Sequence, residues 1–169
     1  MSLAQSLLPE FDHEMAGLRR VLERIPADRL DFRPHPKSFS LGQLANHLAT
    51  VPDWATVTLK TTELDFALPE TQASMPKPGA NPGEILAIFD AGVSAARAAL
   101  AVASDAELAV TWSGKSEGKT LFAFPRIAVL RSFVLNHAIH HRGQMTVYLR
   151  LLGVPVPALF GPSADEGGM

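Results

Sequence analysis

FPRIAVLRSFVLNHAIHHRGQMTVYLRLLG, residues 124–153, is the stretch whose reading decides the fold. Ile127, Leu130, Val134, Met145, Tyr148 and Leu152 keep the three-and-four spacing of one buried α-helical face. His137 and His141 stand on that face where the pattern calls for Leu or Val. His137 follows Val134 by three residues and His141 precedes Met145 by four, while His140 is displaced toward the edge of the stripe. Side chains four apart on a helix lie one turn apart, with Cβ atoms ~5–6 Å from each other. Two imidazoles so placed can bind one metal ion. The spacing alone also fits a surface pair, or two hydrogen-bonded core histidines.

The rest of the chain bounds the setting. Its 169 residues suit one domain, residues 1–169, and 47% of them are apolar, enough for a full core. Formal net charge is −2 and no Lys/Arg run exceeds two residues, so no nucleic-acid footprint is present. With no cysteine, disulfides, thiolate zinc sites and a Cys nucleophile are excluded. The opening MSLAQSLLPEFDHE has no basic n-region and turns acidic early, unlike a signal peptide. No apolar run reads as long enough to span a bilayer. The expectation is a cytoplasmic protein with no membrane partner.

Four helical segments follow from the pattern. Leu3, Leu7, Phe11, Met15, Leu18, Leu22 and Ile25 predict a first helix from Ser2 or Ser6 to Ile25. Pro9 belongs in its first turn if Ser6 is the N-cap and otherwise kinks it; Pro26 ends it. Ser40 with Gln43 reads as a capping box for a second helix, with Leu44, His47, Val51 and Trp54 on one strip and a kink at Pro52. Residues 64–79 read as a long crossover. Asn81, Pro82 and Glu84 supply N-cap, N1 proline and an acidic N3 residue for a third helix carrying Leu86, Phe89, Val93, Ala96 and Leu100. Ser104 caps a short turn. VTWSGKSEGKTLFAFP reads as a loop or irregular hairpin rather than defined strands. Pro125 opens the fourth helix and Gly153 closes it. An extended tail begins at about residue 153, with its last few residues expected to be disordered. The fold class expected is all-α, a four-helix bundle with a long crossover connection. Bundles build metal sites from side chains on facing helices, and His47 on one helix with His137 and His141 on another fit that plan.

HPKSFSLGQLANHLATVPDW and LNHAIHHRGQMTVYLRLLGVPVPALFGPSADE together resemble DinB/YfiT-like proteins, most sharply in the string N-H-x-x-H-H-R-G-Q followed by Y-L-R and G-V-P-V-P. The resemblance implies a four-helix bundle, often a homodimer, that holds a divalent ion with three histidines. On this chain those ligands fall on His47, His137 and His141. It also implies, through some relatives, thiol-dependent S-transfer or isomerisation using low-molecular-weight thiols. The physical reading stands beside it. Burying an unpartnered imidazole costs roughly 1–3 kcal/mol, and a metal turns that cost into bonding. Three neutral histidines leave a coordination position open for water or substrate. Imidazole suits Zn, Ni, Fe and Cu alike, with zinc or nickel the expected ion.

No Ser-His-Asp order, phosphate-binding Gly loop or helical H-E-x-x-H occurs. Asn136, Arg142 and Gln144 could orient imidazoles, bind an anionic substrate or hold a dimer contact. Trp54 and Tyr148 read as core or pocket lining. Gly143 reads as a point of close helix approach. His140 reads first as solvent-facing, with a spare ligand and a general base as the alternatives, and His13 and His35 carry no assigned role. Asp53 and Glu84 are carboxylates that no spacing ties to the histidines. The leading function is a divalent-metal-dependent enzyme, a thiol-dependent S-transferase acting on small electrophiles. A metal-dependent hydrolase and a non-catalytic metal-binding or sensing protein are the alternatives.

Overall fold

The computed structural model describes residues 2–167. Ser2 opens α1 (Leu3–Leu22) with a capping box: its hydroxyl accepts from the Gln5 N–H, and the Gln5 side chain accepts from the Ser2 N–H. Ser2, not Ser6, is therefore the N-cap, and Pro9 falls inside the helix. Leu7, Phe11, Met15, Leu18 and Leu22 line the buried face. Ser40 and Gln43 form the expected box at the start of α2 (Leu41–Thr50). Val51 and Pro52 keep helical dihedrals, but the missing N–H of Pro52 splits the rod, and α3 (Asp53–Lys60) continues it.

The crossover carries β1 (Glu63–Asp65) and α4 (Pro69–Ser74) before Asn81 caps α5 (Pro82–Val102). The expectation that no apolar run reaches bilayer length needs correction for α5, whose most apolar window has a mean hydropathy of 1.7. Its packing accounts for one face only: Ile85, Phe89, Ala96 and Leu100 are buried against neighbouring helices, while most of the helix is not buried. Arg97 and Asp90 pair with Asp12 and Arg19 of α1.

After α6 (Asp105–Ala109), residues expected to be irregular form a defined hairpin, β2 (Thr111–Ser116) and β3 (Lys119–Pro125), with β1 pairing parallel to β2. The fold is thus the expected helical bundle, with a small three-stranded sheet added at its side. Two residues with positive φ, Glu117 and Gly118, make the hairpin turn, and the Asp65 carboxylate accepts both of their N–H groups.

The last rod is not one uniform α-helix. It runs as α7 (Arg126–Val129), a seven-residue π-helical stretch (Leu130–Asn136) and α8 (His137–Leu151). Such wide turns re-phase the helix that follows and are frequent at functional sites. Beyond it the most buried positions are Ala138, Arg142, Met145 and Leu149. His137 and His141 lie beside that stripe, half-buried, rather than on its centre.

Arg142 occupies the inward position. Its guanidinium bonds the Glu14 carboxylate at 2.6 Å and the Glu14 carbonyl at 3.0 Å, and it lies 4.9 Å from the Phe160 ring centre. The close helix approach is made at Gly17, where a Cβ would stand 2.7 Å from the guanidinium; Gly143 faces open space, against expectation. Gly153 ends α8 with φ +71, and the Gly153 and Val154 N–H groups return to Arg150 and Leu149 carbonyls. The tail is pinned by Arg150–Asp165 and Arg24–Glu166 ion pairs. Of the last few residues, expected to be disordered, Gly168 and Met169 lie outside the described residues.

Candidate metal centre

α2 delivers His47 and α8 delivers His137 and His141, and the three imidazoles face one another. One ring nitrogen from each lies within 4.8 Å of the others. Ring centroids are 4.9 Å apart for His47–His137, 4.6 Å for His47–His141 and 4.5 Å for His137–His141. No other group of three or more His, Asp or Glu side chains converges this way among the described residues. The Nε2 atoms of His47 and His137 are 2.6 Å apart, so one donates to the other. An ion bound between them would displace that proton, which is the competition expected of imidazole ligands. The donor set therefore fits a divalent ion.

Gln144, one turn past His140, bridges two rings. Its side-chain oxygen accepts from His141 Nδ1 at 2.7 Å, which leaves Nε2 of that ring free as an electron-pair donor. Its amide nitrogen donates to His140 Nε2 at 3.0 Å, and His140 itself is exposed. Asn46, next to His47, holds both the N–H and the carbonyl of Gly79, clamping the end of the crossover beside the centre. Tyr148 donates to the Phe39 carbonyl at 3.0 Å and so fixes the loop ahead of α2. Asn136 is exposed. Glu84 serves the start of α5, accepting from the Ala80 N–H and the Asn81 amide. His35 accepts from the Lys37 N–H, and His13 sits near Phe160.

Two cavities flank the cluster. One of about 440 Å³ is lined by His141, Gln144, Tyr148, Phe39 and Lys37, among others. The other, about 630 Å³, has His47, Asp53 and Trp54 on one side and Leu64, Met75 and Pro78 of the crossover on the other. Sequence reasoning missed Lys37, Phe39 and the crossover residues because they were read as connections. Their one local signal is Asn46 directly before His47, which fixes where the crossover docks.

Burial, then the neighbouring His141, His47 and His140, hold the His137 imidazolium down at about 4. Burial and His141 lower His47 as well. Both rings are therefore neutral near pH 7, the form that binds metal. An ordinary histidine in the unfolded chain titrates near 6.5. Between these values the unfolded chain binds more protons, so the metal-free protein should lose stability as pH falls from about 6.5 toward 4. Asp53, whose carboxyl burial raises, acts in the opposite sense in a window that opens above 3.8. Urea midpoints of metal-free protein should fall steadily between about pH 7 and 4.5, and His137→Ala should flatten the decline. A wild-type midpoint that is level across that range would contradict the assignment.

The sequence model of the family described as "DinB family" matches residues 1–167. A 37-residue stretch is 49% identical to an uncharacterized Bacillus subtilis protein, YrdA, and covers 22% of each chain. Among solved structures, a DinB-like protein from Bacillus cereus superposes with a TM-score of 0.70 at 22% identity, covering 91% of this chain and 95% of that one. A DinB-like Bacillus subtilis protein, YjoA, gives 0.68 at 17% identity over 89% and 95%. A DinB family protein from Exiguobacterium sibiricum gives 0.65 at 21% identity over 90% and 94%. At these identities the superpositions speak for the fold.

Proposed function

The chain belongs to the DinB family, and from that premise we propose that it is a divalent-metal-dependent enzyme, a thiol-dependent S-transferase acting on small electrophiles at His47, His137 and His141. The observation that carries the metal-enzyme part of this reading is the incompleteness of the cluster; the choice of thiol transfer rests on the resemblance to DinB/YfiT-like proteins. Three imidazoles converge, no fourth protein donor joins them among the described residues, and a cavity opens on either side. Three protein ligands with an open position is the arrangement of catalytic zinc, whereas structural zinc is closed by four.

A divalent ion, zinc or nickel, held there would supply a Lewis acid that lowers the pKa of a thiol or of water. The protein's part is to keep His47 and His137 neutral by burial, to orient His141 through Gln144, and to offer apolar surface from Phe39 and Trp54 at the two cavities. In the transfer, a thiol sulfur bonds to the electrophilic carbon while the leaving group departs with its electron pair and the thiol proton passes to solvent.

The test is a panel of low-molecular-weight thiols against small electrophiles, with esters and amides alongside. Thiol-dependent turnover should vanish on chelation, return with one or two divalent ions, and be lost in His141→Ala. Thiol-independent hydrolysis that follows metal content would favour the hydrolase. Equal rates for metal-loaded wild type and His141→Ala on every substrate would favour a binding or sensing role.

Family membership and the outer face of α5, where Ala87, Ala91, Ala95 and Ala98 are exposed, support a homodimer. Light scattering should return twice the 18.2 kDa chain mass across a broad concentration range. The single-chain mass throughout would contradict it.

A further inference from the structure

Asp53 is a carboxylate without a protein partner. It opens α3 and is half-buried, and its side chain makes no hydrogen bond or ion pair to any described residue. Burial without compensation raises its carboxyl above the ordinary range. Its place is shaped for it: one oxygen lies so close to α5 that a Cβ on Gly92 would stand 2.7 Å away. The same residue lines the 630 Å³ cavity that His47 also lines. The walls there are largely apolar, through Trp54, Val57, Leu64 and Met75, and no Lys or Arg lines them. Thr56, on the same lining, has a buried hydroxyl oxygen with no partner either. The Thr56 oxygen is fully buried, whereas the Asp53 carboxylate is half-buried at the cavity wall, where partial burial disfavours its charged form unless a cation pairs with it.

We propose that this chamber receives an apolar molecule bearing a primary ammonium group, with the ammonium seated on Asp53 and the apolar body against Trp54 and Met75. Because His47 forms part of the same wall, such a molecule lies beside the histidine cluster. Its status as a substrate rests on the metal-enzyme reading above; its binding does not. The ammonium would donate to the carboxylate as a charge-assisted hydrogen bond, the stronger class, at a wall that is half-buried and largely apolar. An anion is disfavoured by the same carboxylate, and a neutral alcohol offers a weaker bond.

Three probes of one shape separate these cases: 2-phenylethylammonium, 2-phenylethanol and 3-phenylpropionate. Binding is read by calorimetry and by the Trp54 indole NMR resonance at pH 7, on zinc-loaded and on metal-free protein. The ammonium should bind at least about tenfold more tightly than the alcohol, and the carboxylate most weakly. Asp53→Asn, which keeps the side-chain shape beside Gly92, should bring the ammonium down to the alcohol's level. Equal affinities for ammonium and alcohol in the wild type, a preference that survives Asp53→Asn, or no binding by any probe would each overturn the proposal. Zinc binding with no ammonium preference overturns this inference alone. An ammonium preference in protein that binds no zinc overturns the metal reading and leaves this one standing.

Discussion

Arg142→Met should destabilise the protein by about 3–5 kcal/mol, because the Glu14 carboxylate is then left buried without its partner. Both side chains are nearly inaccessible, at 4% and 7% exposure, so water cannot replace the lost bond. Against a typical total of ~5–15 kcal/mol this is a large fraction, and at roughly 2–4 °C per kcal/mol the thermal midpoint should fall by about 6–20 °C. Removing both charges together, as Glu14→Leu with Arg142→Met, should recover most of the loss, since replacing a buried pair by apolar groups is often neutral. A single variant that melts with the wild type would show that the pair holds nothing in place. The pair ties α1 to α8 one residue past His141, so the same variant also tests how much of the histidine geometry depends on that tie.

The second large effect is on metal affinity. Gln144→Ala removes the partner of His141 Nδ1 and should weaken divalent-ion binding by about 10–100-fold, the usual cost of an outer partner. His47→Ala, His137→Ala and His141→Ala each remove a donor and should cost more than that. All three variants should keep their helical circular dichroism, because the bundle is held by the apolar faces of α1, α2, α5 and α8. Competition titration with a chromophoric chelator reads the affinities directly. Wild-type affinity in any of the three histidine variants would remove that residue from the site.

Much of the scaffold was legible because its signals are local. The Ser40–Gln43 box, the Asn81-Pro82 start and the Gly153 stop each depend on residues within a turn, and each stands where the sequence puts it. The hairpin was legible only as an alternative to a loop, since its strands are defined by pairing. β1 is three residues inside a crossover, and its partner lies some fifty residues on. Gly114, which reads as a strand breaker, is needed there because a Cβ would meet the Phe122 ring at 2.6 Å. The π-helical stretch has no sequence signature, and a fixed period of 3.6 carried through it puts His137 and His141 on the centre of the buried face rather than beside it. Arg142 was ambiguous for a related reason, as its partner Glu14 is 128 residues away. The histidine pair was readable from spacing and His47 from its place on an apolar strip, but the cavities on either side depend on the docking of the crossover and of the loop carrying Phe39.

The most direct measurement is X-ray absorption on protein loaded with one equivalent of zinc, with the wild type compared to His141→Ala. The prediction is three imidazole nitrogens at ~2.0–2.1 Å with at least one further, exchangeable oxygen donor beside them, reduced to two imidazoles in the variant. Zinc that shows no imidazole scattering, or a wild-type spectrum that His141→Ala leaves unchanged, would contradict a metal centre at these histidines.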